Sequence, residues 1–255
     1  MRLTHDDAIA GFKLPAIRHI TADRPIHWLA AGWRDLKANP LPSLAYGLLF
    51  ALGGDLIILA ALDSPHLVTV AISGFFLLAP LLAAGLYELS RRTGQGERPL
   101  FIESLRVFGE NPQSLAQFGL LLAFVSLFWE RLSAISFALL GPSNASGAFL
   151  YDIILGGSHG GFLLLWLALG GLLALLVFAV AVISVPMMVD RKCDVATAMM
   201  SSLRAFGLNT GPLLLWAALI VGLTLLGFAT LLFGLVVLLP IIGHASWHAY
   251  RELVE

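Results

Sequence analysis

Three ionisable side chains stand inside long apolar runs: Asp55, Glu130 and Arg131. Charges in such surroundings are rare and usually paired, and they mark either a polar route through a membrane or an ion pair that ties helices together. Glu130 and Arg131 are neighbours, about 100° apart on a helix, so each looks elsewhere for a partner. Asp55 is the natural mate for Arg131, and Ser126 or Ser133 for Glu130. As a route, the cluster would carry an ion, a proton or a small solute. Counted from the turn prolines Pro40 and Pro112 at ~1.5 Å per residue, Asp55 lies roughly 22 Å in and Glu130 roughly 27 Å. A hydrocarbon core is about 30 Å thick. Both charges therefore belong near the outer surface, where a clasp between two parts of a bundle is the simpler role and Trp129 is an interfacial anchor.

Other candidate chemistry is sparse. His244 and His248 stand four apart, a spacing that can hold a metal on one helix face, but no third ligand is near in sequence, and no metal site is expected. No Ser/His/Asp motif appears, and the glycine run "GGSHGG" (156–161) reads as a flexible outer loop. Tyr87-Glu88, Asp190 and Asp194 read as helix caps and interface charges. Cys193 is the single cysteine, which excludes an intrachain disulfide and any multi-cysteine cluster. The formal net charge of −1 gives no sign of a nucleic-acid partner. The expectation is a protein that is not an enzyme and holds no cofactor.

The elements around these residues are unusually apolar. The chain has 255 residues, 58% hydrophobic and 12% charged, against roughly 25% charged in an ordinary soluble domain. Mean hydropathy is +0.88. A membrane crossing needs about 20 apolar residues, and runs of that kind fall near 42–62, 67–87, 114–132, 162–188, 212–227 and 229–248. The last two share one run, divided at "GFATLLFG" (227–234). Residues 1–40 are polar and lack the short apolar core of a signal peptide. Of 15 Lys and Arg, all but Arg131 lie in the N-terminal arm, the 88–112 loop, the 190–211 loop and the tail. The opposite loops carry none, so the positive-inside rule places both termini in the cytoplasm of a bacterial inner membrane.

A motif recurs before the odd-numbered spans: "WRDLKANP" (33–40), "LRVFGENP" (105–112) and "LRAFGLNT" (203–210). It aligns Arg34, Arg106 and Arg204, and five residues on Asn39, Asn111 and Asn209. The even-numbered spans each carry a helix-breaking proline, at Pro80, Pro186 and Pro240. In the first motif Ile26, Leu29, Ala30, Trp33 and Leu36 recur at helical spacing, with His27, Arg34, Asp35 and Lys37 on the other face. Such a helix can lie in the membrane interface. The asparagine then suits a left-handed helix end, and a proline suits the next first turn.

The fold expected is all-α: about six transmembrane helices in one polytopic domain, built as three repeats of a cytoplasmic interfacial amphipathic helix and a transmembrane hairpin. The arm covers 1–23 and the units about 24–92, 93–192 and 193–251. With "GWRDLKANPLPSLAYGLLF" and its two echoes, the chain resembles a family of proteobacterial integral membrane proteins of uncharacterised function, from about Ile20 to Tyr250. The resemblance rests on Trp33-Arg34-Asp35, the Asn39-Pro40 turn and the span pattern. It implies a membrane fold and transfers no catalytic residue. The function expected is an accessory, scaffold or assembly module contacting the lipid bilayer and a larger membrane complex; the alternative is a transporter or channel using Asp55, Glu130 and Arg131. The arginine motif offers a contact for lipid or partner.

Overall fold

The computed structural model describes residues 14–61, 79–140 and 160–255. The helices are α1 (Arg24–Ala38), α2 (Pro40–Ala61), α3 (Ala84–Thr93), α4 (Phe101–Ser104), α5 (Val107–Glu110) and α6 (Pro112–Leu140). They continue as α7 (Gly160–Ala181), α8 (Ser184–Arg191), α9 (Val195–Leu208), α10 (Thr210–Ala229) and α11 (Leu235–Leu253). Three stretches among the described residues are long and apolar enough to cross a membrane: Pro112–Ser136, Gly160–Arg191 and Thr210–Ala229. The expected span at 67–87 and the outer loop at 141–161 lie largely outside the described residues.

Helix α1 packs onto α11 through Trp28, Ala31, Gly32 and Leu36, all buried, while Ile26 and Trp33 are exposed. The apolar stripe read from sequence is thus rotated: Asp35, assigned to the polar face, turns inward. The pivot is Gly32, where a Cβ would lie 2.5 Å from the Ile241 carbonyl oxygen. Only a residue without a side chain lets the two backbones meet, and that approach selects the face buried.

Asn39, Asn111 and Asn209 close α1, α5 and α9 with nearly one conformation: φ/ψ of −132/67°, −141/58° and −129/37°. None is left-handed, which corrects the expectation of a left-handed helix end. Each asparagine carbonyl instead accepts the first bond of the following helix, from Ser43, Leu115 and Leu213 N–H. The side chains then clamp other segments. Asn39 Nδ2 donates to Thr93 Oγ1 at 2.6 Å, and Asn111 Nδ2 to the Cys193 carbonyl at 3.0 Å. Asn209 donates to the Arg18 carbonyl and accepts from Ile20 N–H, both at 2.9 Å. Replacing Asn209 with alanine removes both bonds to the part-buried Arg18–Ile20 backbone, so we expect a loss of about 1 kcal/mol. Limited proteolysis should then cut first between residues 14 and 21.

The prolines act differently from one another. Ahead of Pro186 the helix breaks between Ala181 and Ser184, and Ser202 of α9 mends the break. Its hydroxyl donates to the Ala179 carbonyl and accepts from Ile183 N–H. Near Pro80 the interruption falls at Ala83. Pro240 does not break its helix: α11 runs through it. The carbonyl that Pro240 leaves without its usual donor, on Val236, faces the backbone of Gly47 in α2.

The turn dividing α10 from α11 is held by Thr230, whose hydroxyl donates to the Gly227 carbonyl and accepts from Gly234 N–H. Leu231 and Leu232 adopt φ of 52° and 68° there, a costly conformation for leucine. At the opposite end, Ile17 and Val254 form an antiparallel bridge.

Candidate functional site

At the end of the bundle that carries the asparagine turns, α1, α2, α3 and α11 meet around a buried polar chain. Ser43 Oγ lies 2.9 Å from His244 Nε2, and Ser90 Oγ lies 2.7 Å from His244 Nδ1. Ser90 donates to Asp35 Oδ2 at 2.6 Å. The same oxygen lies 2.9 Å from His248 Nε2. With His244 neutral and protonated on Nδ1, Nδ1–H donates to Ser90, and both Ser90 and His248 donate to Asp35. Ser43 has one proton for two acceptors, the Asn39 carbonyl at 2.8 Å and His244 Nε2 at 2.9 Å. The helical pitch explains the geometry: His244 and His248 are one turn apart on α11, so one aromatic face of that helix reaches two points of the chain.

Ser43, Ser90 and His244 are 0%, 2% and 1% exposed. A Ser–His–Ser–Asp sequence could move protons; Ser43, Ser90 and His244 are enclosed, while the chain ends at His248, whose side chain is one-third exposed. What it does is join four helices. Beside it, Glu88 accepts from Arg91 Nε at 2.7 Å and Arg92 Nε at 2.6 Å. Burial raises the pKa of both carboxyls. For Asp35 the hydrogen bonds from His248 and Ser90 more than offset this, and for Glu88 those from Arg91 and Arg92 do, leaving both below their usual values. A folded value below the unfolded one means the stabilisation is complete above the unfolded pKa and is lost as pH falls through the folded one. The unfolded references are 3.8 and 4.5. The thermal midpoint in detergent should therefore hold from pH 7 to about 5 and drop below about 4, less steeply in Asp35→Asn.

Of the residues singled out by sequence, His244 and His248 join this chain and the charges lie elsewhere. Asp55 is exposed on α2. Arg131 folds back onto its neighbour, Nε 2.8 Å from Glu130 Oε2, with its side chain 76% exposed. This corrects the expectation of separate partners, because a long arginine stem spans the angle between adjacent positions. Among the described residues no ion pair joins Asp55 to Arg131. Ser126 donates to the Leu122 carbonyl and Ser133 accepts from Trp166 Nε1, so neither supports Glu130. Trp129 is buried against Trp166 and Gly170 rather than anchored in an interface. Arg34, Arg106 and Arg204 are all exposed. Asp194 caps α9, accepting from Thr197 N–H at 2.9 Å, and Asp190 accepts from Tyr250 and Arg251.

A cavity of about 220 Å³ lies between α2, the start of α3, α7, α10 and α11. Its wall is mostly apolar, with Tyr87, Trp216, Thr224 and Ser246 the polar contributors, and it includes none of Asp55, Glu130 and Arg131.

Long apolar helices and leucine-rich exposed faces define a helical integral membrane protein. Residues 67–190 match the family model described as "Predicted integral membrane protein (DUF2189)". The Trp33–Pro40 segment lies outside that match. No curated protein and no solved structure matches the chain.

Proposed function

We propose that the chain is a non-enzymatic accessory or assembly module of a bacterial inner membrane. It spans the bilayer six times as one domain of three repeats, with both termini cytoplasmic, and contacts lipids and other membrane proteins. The observation carrying this reading is the hydrogen-bonded chain from Ser43 to His248. The polar groups at the helix junction are engaged in holding helices together, and Ser43, Ser90 and His244 among them are enclosed. The shared geometry of Asn39, Asn111 and Asn209 supports the repeat. Transport through Asp55 and Glu130 would need those charges to line a water-filled cavity, and the apolar wall described above includes neither.

The test is purification of the tagged full chain in mild detergents, followed by native electrophoresis. The expected result is migration with a larger complex. Recovery only as a bare monomer or homo-oligomer in several detergents would overturn the reading. Asp55→Asn and Glu130→Gln should leave ion fluxes across reconstituted liposomes unchanged.

A further inference from the structure

The central cavity is not polar or apolar throughout. Counting ~1.5 Å per residue from Thr210, Trp216 lies about 9 Å into the bundle and Thr224 about 21 Å. Helix α11 returns from the turn at 230–234, so Ser246 belongs to the Trp216 end and Leu239 to the deeper end. Three of the four polar wall residues, Trp216, Tyr87 and Ser246, therefore gather near one end, and below them the lining is almost wholly hydrocarbon.

Two of those three are committed to the protein. The Tyr87 and Ser246 side chains bond to each other, and Ser246 Oγ donates to the Ile242 carbonyl at 2.8 Å. Trp216 is different. It is 0% exposed, and its indole Nε1–H has no hydrogen-bond partner among the described residues. A buried donor left unmade is costly, and tryptophan N–H groups usually find an acceptor. By contrast, Trp28, packed edge-on against Trp216, donates to Glu252. The missing element at Trp216 is an acceptor, and indole nitrogen can only donate.

We propose that this cavity binds a lipid-soluble amphiphile by a carbonyl oxygen, which accepts from Trp216 Nε1–H, with its apolar tail extending along α10 towards Thr224. Small side chains at Ala83 and Ala174 make the room for it. A ring carbonyl of a quinone and an ester carbonyl of a phospholipid share this chemistry. The site is separate from the buried chain at His244. It also needs no partner protein, so failure to recover a complex would leave it standing, and its own failure would leave the accessory reading standing.

The experiment uses the delipidated full chain in dodecyl maltoside, with the thermal unfolding midpoint as readout. One arm is titrated with a decyl-substituted benzoquinone, the other with dioctanoyl phosphatidylglycerol. A saturable rise in one arm is expected: the quinone arm assigns a ring carbonyl, the phospholipid arm an ester. Trp216→Phe should weaken apparent affinity about tenfold, the size of one hydrogen bond. Ala174→Phe, at a more exposed wall position that tolerates bulk, should abolish the rise. Leu172→Phe, exposed but off the wall, should leave it intact. No rise in either arm, or an equal rise in Ala174→Phe, overturns the proposal. Undiminished affinity in a folded Trp216→Phe overturns it as well.

Discussion

Gly47→Ala should destabilise the protein by about 3 kcal/mol or more, a large loss for the addition of one methyl group. A Cβ at Gly47 would stand 1.9 Å from the Val236 carbonyl oxygen and 2.6 Å from its carbon. The obstacle is backbone on both sides, so no rotamer change relieves it and α2 must move away from α11. Overpacking of a close contact typically costs 1–3 kcal/mol even where side chains can yield. The same contact covers the Val236 carbonyl that Pro240 leaves without a donor, and displacing α2 would bare it. Gly222→Ala is the control. Its Cβ would meet nothing within 4 Å, and alanine is about 1 kcal/mol better than glycine in a helix. That variant should be neutral or stabilised, with both changes read from chemical unfolding in one detergent.

The second large effect is expected at Asp35. Its side chain is 14% exposed, and it receives both Ser90 and His248. Asp35→Ala leaves those two donors without an acceptor at a junction of four helices, and we expect a loss of about 3 kcal/mol. Asp35→Asn keeps one acceptor oxygen but not the charge, and should lose about half as much. A cycle with Ser90→Ala should show a coupling energy of about 1 kcal/mol or more. Additive losses would mean that Ser90 and Asp35 act independently.

What the sequence discloses follows physical reach. Composition and apolar run length report burial along the chain directly, so the membrane class and the division of the 212–248 run near residues 230–234 were legible. The Arg–Asn spacing, one helical turn and a cap, placed three turns correctly while misjudging their conformation. The buried polar chain was not legible. Its members are Asp35, Ser43, Ser90, His244 and His248, and their separations reach 213 residues. No local period encodes such a meeting. Asp35 was assigned to the polar face because a stripe fixes the set of apolar residues but not which of two adjacent faces carries the glycine, Gly32, that lets a neighbour approach. His244 and His248 gave the only signal, a pair four apart, and it was weighed for metal rather than for hydrogen bonding. Conversely, Asp55, Glu130 and Arg131 stood out because local context makes a charge conspicuous, whether or not the fold gathers charges together.

The place of α11 in this arrangement bears on how the protein is made. Ser43 and its partner His244 are 201 residues apart. At the roughly 5–20 residues per second of synthesis, the first helices exist for roughly 10 to 40 s before the histidines emerge. During that interval Asp35, Ser43 and Ser90 have none of their eventual bonds to α11, and Gly32 and Gly47 face no neighbour there. The nascent intermediate is thus a set of helices with a polar seam open towards one another or towards lipid. Insertion and final packing are separate events in this chain, and the second is delayed until its last helix arrives. A chain stopped before residue 235 would keep that seam open, because the partners of Ser43 and Asp35 on α11 would never be made.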